Sequence, residues 1–184
     1  MSEPAEQSSA ADLTQRITAF ESIVTEYERQ LLHYTARIVL DHDAAQDIVQ
    51  DAFIKLFRNW RDKMEPSTQI LTWLYKVSHN RAIDYLRKRS RRRLLHLRHS
   101  KEHPTVTKPD RGEGFKISDR AVRAVAALRK LSPREQQLVI LKVYEEKSYK
   151  DISDITGLTT SNVGYILHHA MRRMAEILKQ AGDK

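Results

Sequence analysis

Cysteine is absent from the chain. Disulfides and thiolate metal sites are therefore excluded, and an intracellular setting fits. Glycine and proline are scarce, five of each in 184 residues. With so few turn formers, a chain that is 40% hydrophobic points to an all-α fold with short connections. No apolar run approaches the roughly 20 residues that span a bilayer. Residues 1–11 are polar and lack the apolar stretch of a signal peptide or an anchor. They read as a disordered tail, and the chain as soluble and cytoplasmic. No glycine-rich phosphate loop, nucleophile elbow or catalytic histidine motif is visible. His96, His99 and His103 lie at the edge of a presumed linker, without Cys or clustered carboxylates nearby. They do not make a zinc-like site. Neither a metal nor a cofactor is expected, and the chain does not read as an enzyme.

What is abundant is positive charge. The formal net charge is +8 and the isoelectric point about 9.7, a balance that favours a polyanionic partner. Between Leu86 and Lys101 stand eight basic residues and no acidic one. Such a run is either a solvated face or a nucleic-acid contact. Helical periodicity holds from about residue 12 to 97. It breaks over 98–119, where Pro104, Pro109, Gly112 and Gly114 cluster. It resumes over 120–182. The expectation is two small helical domains joined by a flexible linker.

In the first domain, 43–60 reads as one helix. Its core face carries Ile48, Val49, Ala52, Phe53, Leu56 and Trp60. Asp43, Asp47 and Asp51 recur every four residues on the other side. Two readings stand: a solvated row near a helix N-terminus, or a docking stripe for a basic partner. A second helix spans about 70–93, with Ile70, Leu71, Leu74, Val77, Ala82 and Leu86 inward. Its other side carries Trp73, Lys76, Asn80, Asp84, Arg87 and Arg91. An indole stacks on a base for about 1–3 kcal/mol. An Asn amide reads a base edge, and Lys or Arg neutralises phosphate. The plain alternative is a Trp covered by neighbouring helices.

The stretch from Asp43 to Phe57 resembles region 2.2 of the extracytoplasmic-function (ECF) sigma factors of bacterial RNA polymerase. The stretch from Trp73 to Arg89 resembles their regions 2.3 and 2.4. The resemblance implies an acidic helix that docks on the β′ clamp helices of core polymerase, through Asp43, Asp47 and Asp51. It implies a base-capture loop from Lys63 to Gln69, including Ser67 and Thr68. Trp73, Lys76, Asn80, Arg87 and Arg91 would contact the melted −10 strand. Extruding a base costs a few kcal/mol, which a pocket of stacking and edge contacts offsets. Gln46 stands where that family often has Glu.

In the second domain, helix starts are signalled by Ser132-Pro133 followed by Glu135, and by Ser148 followed by Asp151. Helices are expected near 120–130, 133–146, 149–156 and 160–179. Gly157 falls where a tight turn between crossed helices needs a positive φ. On the last helix Val163, Leu167, Ala170, Met174 and Leu178 form a core stripe. Ser161, Tyr165, His168, His169 and Arg172 lie opposite, on a face that fits a major groove. A plain amphipathic helix in a bundle is the alternative. The segments 131–141, 148–158 and 161–170 are similar to sigma region 4. That similarity implies that Ser161, Asn162, Tyr165, His169 and Arg172 read the −35 element, and that this domain contacts the β flap. Gly164 and Ile166 replace basic residues usual in the family, and a close approach to DNA would account for the glycine. The implied partners are core polymerase, promoter DNA and an anti-sigma or other regulatory protein. A stand-alone helix-turn-helix regulator is the competing reading.

Overall fold

The computed structural model describes residues 4–60, 63–99 and 119–182, and all regular structure among them is helical. The elements are α1 (Pro4–Val39), α2 (His42–Asn59), α3 (Thr68–His99), α4 (Asp119–Arg129), α5 (Pro133–Val139), α6 (Tyr149–Thr156) and α7 (Thr160–Gly182). A single π-helical turn, Ile140–Tyr144, continues α5. The chain divides into two compact units, one ending at Tyr85 and the other starting at Leu86.

The first unit is built by three long helices. α1 buries Ile23, Tyr27, Leu31, Tyr34, Thr35, Ile38 and Val39, a stripe that repeats at helical spacing. α2 opens on Asp41, whose carboxylate accepts the Ala44 amide proton at 3.1 Å. It buries Ala45, Ile48, Val49, Ala52, Phe53 and Leu56 against that stripe. α3 contributes Ile70, Leu74, Tyr75, Ser78, His79 and Ala82. Each fully buried Leu or Ile stabilises by about 1.5–3 kcal/mol.

Four expectations change here. α1 reaches back to Pro4, into the segment expected to be a disordered tail; adding Ala-rich turns to an existing helix is far cheaper than nucleating one. Trp60 is half-buried at the C-cap of α2, not on its core face. The inward face of α3 includes Tyr75, Ser78 and His79, while Leu71, Val77 and Leu86 are only half-buried. The first unit ends at Tyr85 rather than at 97. From Arg87 to Arg93 every residue of α3 is exposed, so nothing there joins a core. Most of the expected 98–119 linker lies outside the described residues, as do His103 and the side chains of His96 and His99.

The second unit combines three short helices, α4 to α6, with the 23-residue α7. Ser132 caps α5 in a capping box: its Oγ accepts the Glu135 amide proton at 3.4 Å, and Glu135 accepts that of Ser132 at 2.8 Å. Ser148 and Asp151 repeat the device on α6. Gly157 ends α6 at φ 73°, the left-handed conformation that glycine adopts without steric cost. Leu138–Leu141, Ile152, Ile155, Val163, Leu167 and Ala170 are buried between the helices. Met174 and Leu178, expected in the same stripe, are half-buried.

Candidate nucleic-acid interface

The three carboxylates of α2 are all exposed but do not stand alike. Asp43 sits in the first turn, where the helix dipole favours an anion. Asp47 lies on the rim of an open groove of about 600 Å³ between α1 and α2, with Phe20, Val24, Leu32, Phe53 and Ile54 among its walls. Asp51 faces α3 and accepts a hydrogen bond from Arg81 at 2.8 Å. Successive residues at four-residue spacing turn by about 40°, so the row winds from one neighbouring helix toward the other. Arg81 was not singled out in the sequence; nothing in its own helix pairs it with Asp51, thirty residues away.

A second exposed surface is carried by α3. Lys76, Asn80, Arg87 and Arg91 are exposed along one side, and Trp73 is half-buried at its start. The Trp73 ring packs edge-on to Trp60, with centroids 6.1 Å apart. Ser67 is occupied structurally. Its Oγ accepts the Ile70 amide proton at 3.3 Å and starts α3, while Thr68 is exposed. Lys63 pairs with Glu65 at 2.7 Å in the loop before it.

Behind this face lies a buried polar cluster. The Tyr34 hydroxyl and His79 Nδ1 share a hydrogen bond of 2.8 Å, and Tyr34 meets Tyr75 edge-on at 5.0 Å. Burial lowers the His79 pKa from 6.5 to about 4, so the ring is neutral near pH 7. Tyr27, also buried, has its pKa raised by burial and by Glu26, against a hydrogen bond from the Ser67 backbone. Arg16 of α1 donates to the carbonyls of Phe57 and Trp60 at 2.6 and 3.2 Å. Arg16, Tyr27 and Trp60 were not read as site residues. A helical pattern marks the face a residue lies on but not the carbonyl it reaches.

In the second unit α7 brings Ser161, Asn162, Tyr165, His169 and Arg172 to the exposed side together. Thr159 caps the helix through the Asn162 amide at 3.3 Å. Tyr165 is 66% exposed, unusual for an aromatic side chain without a partner molecule. Its ring lies 4.3 Å from that of His169, which in turn meets His168 at 5.7 Å. Arg172 forms an exposed pair with Glu176 at 3.4 Å, a contact weak enough to be exchanged for phosphate. Packing within the second unit does not by itself require glycine at 164. A Cβ there would lie 3.4 Å from the Tyr149 ring of α6. Ile166 is half-buried, and so is poorly placed as a phosphate anchor.

Two helical faces, one on α3 and one on α7, thus present stacking, amide and cationic groups. Comparison with known proteins fits both. Residues 23–92 match the family model of sigma-70 region 2, and residues 121–174 that of sigma-70 region 4. The chain is 26% identical over 169 residues to RNA polymerase sigma factor YlaC of Bacillus subtilis, covering 90% of this chain and 95% of that one. It is 26% identical to RNA polymerase sigma factor CarQ of Myxococcus xanthus, covering 87% and 89%. Its fold is similar to the sigma factor RpoE solved with the anti-sigma factor NepR from Bartonella quintana, with a TM-score of 0.63, 22% identity and 87% and 96% coverage. It is similar also to CnrH solved with the cytosolic domain of CnrY, with a TM-score of 0.60, 17% identity and 90% and 97% coverage. The chain belongs to the ECF subfamily of the sigma-70 family, the subunits that direct RNA polymerase to promoters. The region 2 match across the first unit is what a stand-alone helix-turn-helix regulator would not carry. Among the described residues no helix is long and apolar enough to cross a membrane.

Proposed function

We propose that the first unit docks on core RNA polymerase through α2 and captures the opened −10 strand on α3, while α7 reads the −35 element. Asp43 and Asp47 are the docking anions, with Asp51 held by Arg81 in the free chain and exchanging that partner on docking. Trp73 stacks an unpaired base, Asn80 bonds a base edge, and Lys76, Arg87 and Arg91 hold phosphates. Thr68 flanks the capture loop, and Ser67 acts by starting α3. On α7, Ser161, Asn162, Tyr165 and His169 face base edges and Arg172 the backbone. The chain acts by binding, without catalysis of its own, in the cytoplasm with the polymerase. The β′ clamp helices and the β flap are the polymerase surfaces it meets. An anti-sigma protein is the expected regulator, as one accompanies the similar RpoE of Bartonella quintana.

The observation that carries this reading is the succession on one exposed helix face of Trp73, Lys76, Asn80, Arg87 and Arg91, with acids exposed on the neighbouring helix. A repressor has no use for that pair of surfaces. The test is transcription from a promoter library by core polymerase. Defined transcripts are expected only when chain and core are both present. Specific duplex binding by the chain alone, with no initiation, would overturn the proposal.

A further inference from the structure

We infer that α7 is built to read A·T base pairs: Asn162 takes an adenine edge, and the Tyr165 ring, braced by His169, takes the C5 methyl of a thymine. The inference rests on the −35 reading proposed for α7 and names the base class which that helix selects. All three side chains are exposed. Successive residues of an α-helix turn by about 100° and rise by about 1.5 Å. Asn162, Tyr165 and His169 therefore fall within about 60° around the axis and about 10 Å along it. They form one patch in the N-terminal half of α7, the end that a recognition helix turns to the bases. Among the described large hydrophobic residues Tyr165 is the most exposed, at 66%. Its ring is nevertheless held. The His169 ring lies 4.3 Å away, tilted by 57°, and is itself met edge-on by His168 at 5.7 Å. A ring positioned before binding loses less freedom when a base arrives.

The chemistry of the major groove decides what such a patch selects. Adenine shows N7 and the N6 amino group, which one side-chain amide bonds at both points. Thymine shows a methyl group, the apolar feature of the groove. Guanine shows two acceptors, N7 and O6, whose two-point partner is Arg or Lys. Asn162 supplies the amide, and Tyr165 supplies an apolar ring that fits the methyl. The first Lys or Arg of α7 is Arg172. It lies ten residues past Asn162, about 15 Å along the axis, and is paired with Glu176 at 3.4 Å. Histidine does not replace it. The two nitrogens of an imidazole point away from each other, so one ring cannot bond N7 and O6 of the same guanine. His169 acts instead through Tyr165, as a positioning residue.

The experiment uses the full chain bound to core polymerase. The probe is duplex DNA enriched on this complex from a random pool, with its upstream element then varied one base pair at a time. Asn162→Ala should abolish a preference of about 5- to 150-fold at one position, the range of one two-point base contact, and that position should be A·T. Tyr165→Ser should abolish the preference at a second A·T position. There, replacing thymine by deoxyuridine removes only the methyl. In the wild type this should weaken binding about fourfold, the value of one buried methyl-sized group. Tyr165→Phe keeps the ring and should keep that dependence, whereas Tyr165→Ser should lose it. His169→Ala should reduce it. G·C at the positions that depend on Asn162 or Tyr165, or equal binding of thymine and deoxyuridine, would overturn the inference and leave the −35 reading by α7 in place. An upstream element read identically by the wild type, Asn162→Ala and Tyr165→Ser would remove the reading itself, and the inference with it.

Discussion

α1, α2 and α3 run for 36, 18 and 32 residues, whereas α5 and α6 run for seven and eight. The two units hold their helices by correspondingly different means. Helices shorter than about 12–15 residues are marginal in water by themselves, and α5 and α6 each carry a complete capping box. α6 adds a left-handed glycine at its end. α2 and α3 also start on side-chain caps, Asp41 and Ser67, but at their length they rest mainly on burial, and the first unit even accepts polar groups in its core. Thr35 Oγ1 and Ser78 Oγ are buried there without a hydrogen-bond partner, beside the Tyr34–His79 pair. The contrast shows where each unit is vulnerable: the first in its buried polar cluster, the second at its helix ends.

Acid should separate the two most strongly. Burial favours neutral His79, so its pKa in the folded chain, about 4, lies below the 6.5 of an unfolded histidine. As pH falls through 6.5 the unfolded chain takes up a proton first. The stability held by neutral His79 is thus complete above 6.5 and lost progressively down to about 4. The total is on the order of 3 kcal/mol. In the second unit Glu135 and Asp151 have lowered pKa values, chiefly through hydrogen bonds with Ser132 and Ser148. Their contribution is present above the ordinary carboxylate range and is lost only as pH falls through it. Native-state hydrogen exchange from pH 7 to 4 should therefore loosen α1–α3 before α5–α7. Loss of protection in both units together would contradict the assignment.

The next effect belongs to the second unit. Gly157→Ala places a side chain at φ 73° with nothing within 4 Å of the new Cβ. The cost is therefore conformational alone, about 1–2 kcal/mol. Denaturant unfolding read on α5–α7 amides should register it, with the first unit untouched. The smallest effect has the opposite sign. Gly164→Ala meets the Tyr149 ring at ordinary van der Waals distance, 3.4 Å, and removes a mid-helix glycine. A gain of up to about 1 kcal/mol in the same measurement is expected. A loss would mean that the Tyr149 ring cannot yield even slightly.

This division also decided what could be read in advance. Caps and turns are local, so Ser132 with Glu135, Ser148 with Asp151, and Gly157 were legible from spacing. The exposed residues of α3 and α7 followed from periodicity, which gives a side chain's face without its neighbour. Packing across the first unit was not legible. The partnership of Tyr34 with His79 joins residues 45 apart, and that of Arg16 with Trp60 residues 44 apart. Both depend on how helices cross. Neither Ser78 nor His79 was among the residues placed inward by periodicity, and the structure buries both.

The division of labour between docking and strand capture is tested most directly by promoter opening with Trp73→Ala. The measurement is permanganate reactivity of −10 thymines, with chain in excess so that all core polymerase is bound. One lost stacking contact of about 1–3 kcal/mol gives an expected fall of about 5- to 150-fold in opening, with core binding unchanged. Opening at the wild-type level, or a parallel loss of core binding, would contradict it.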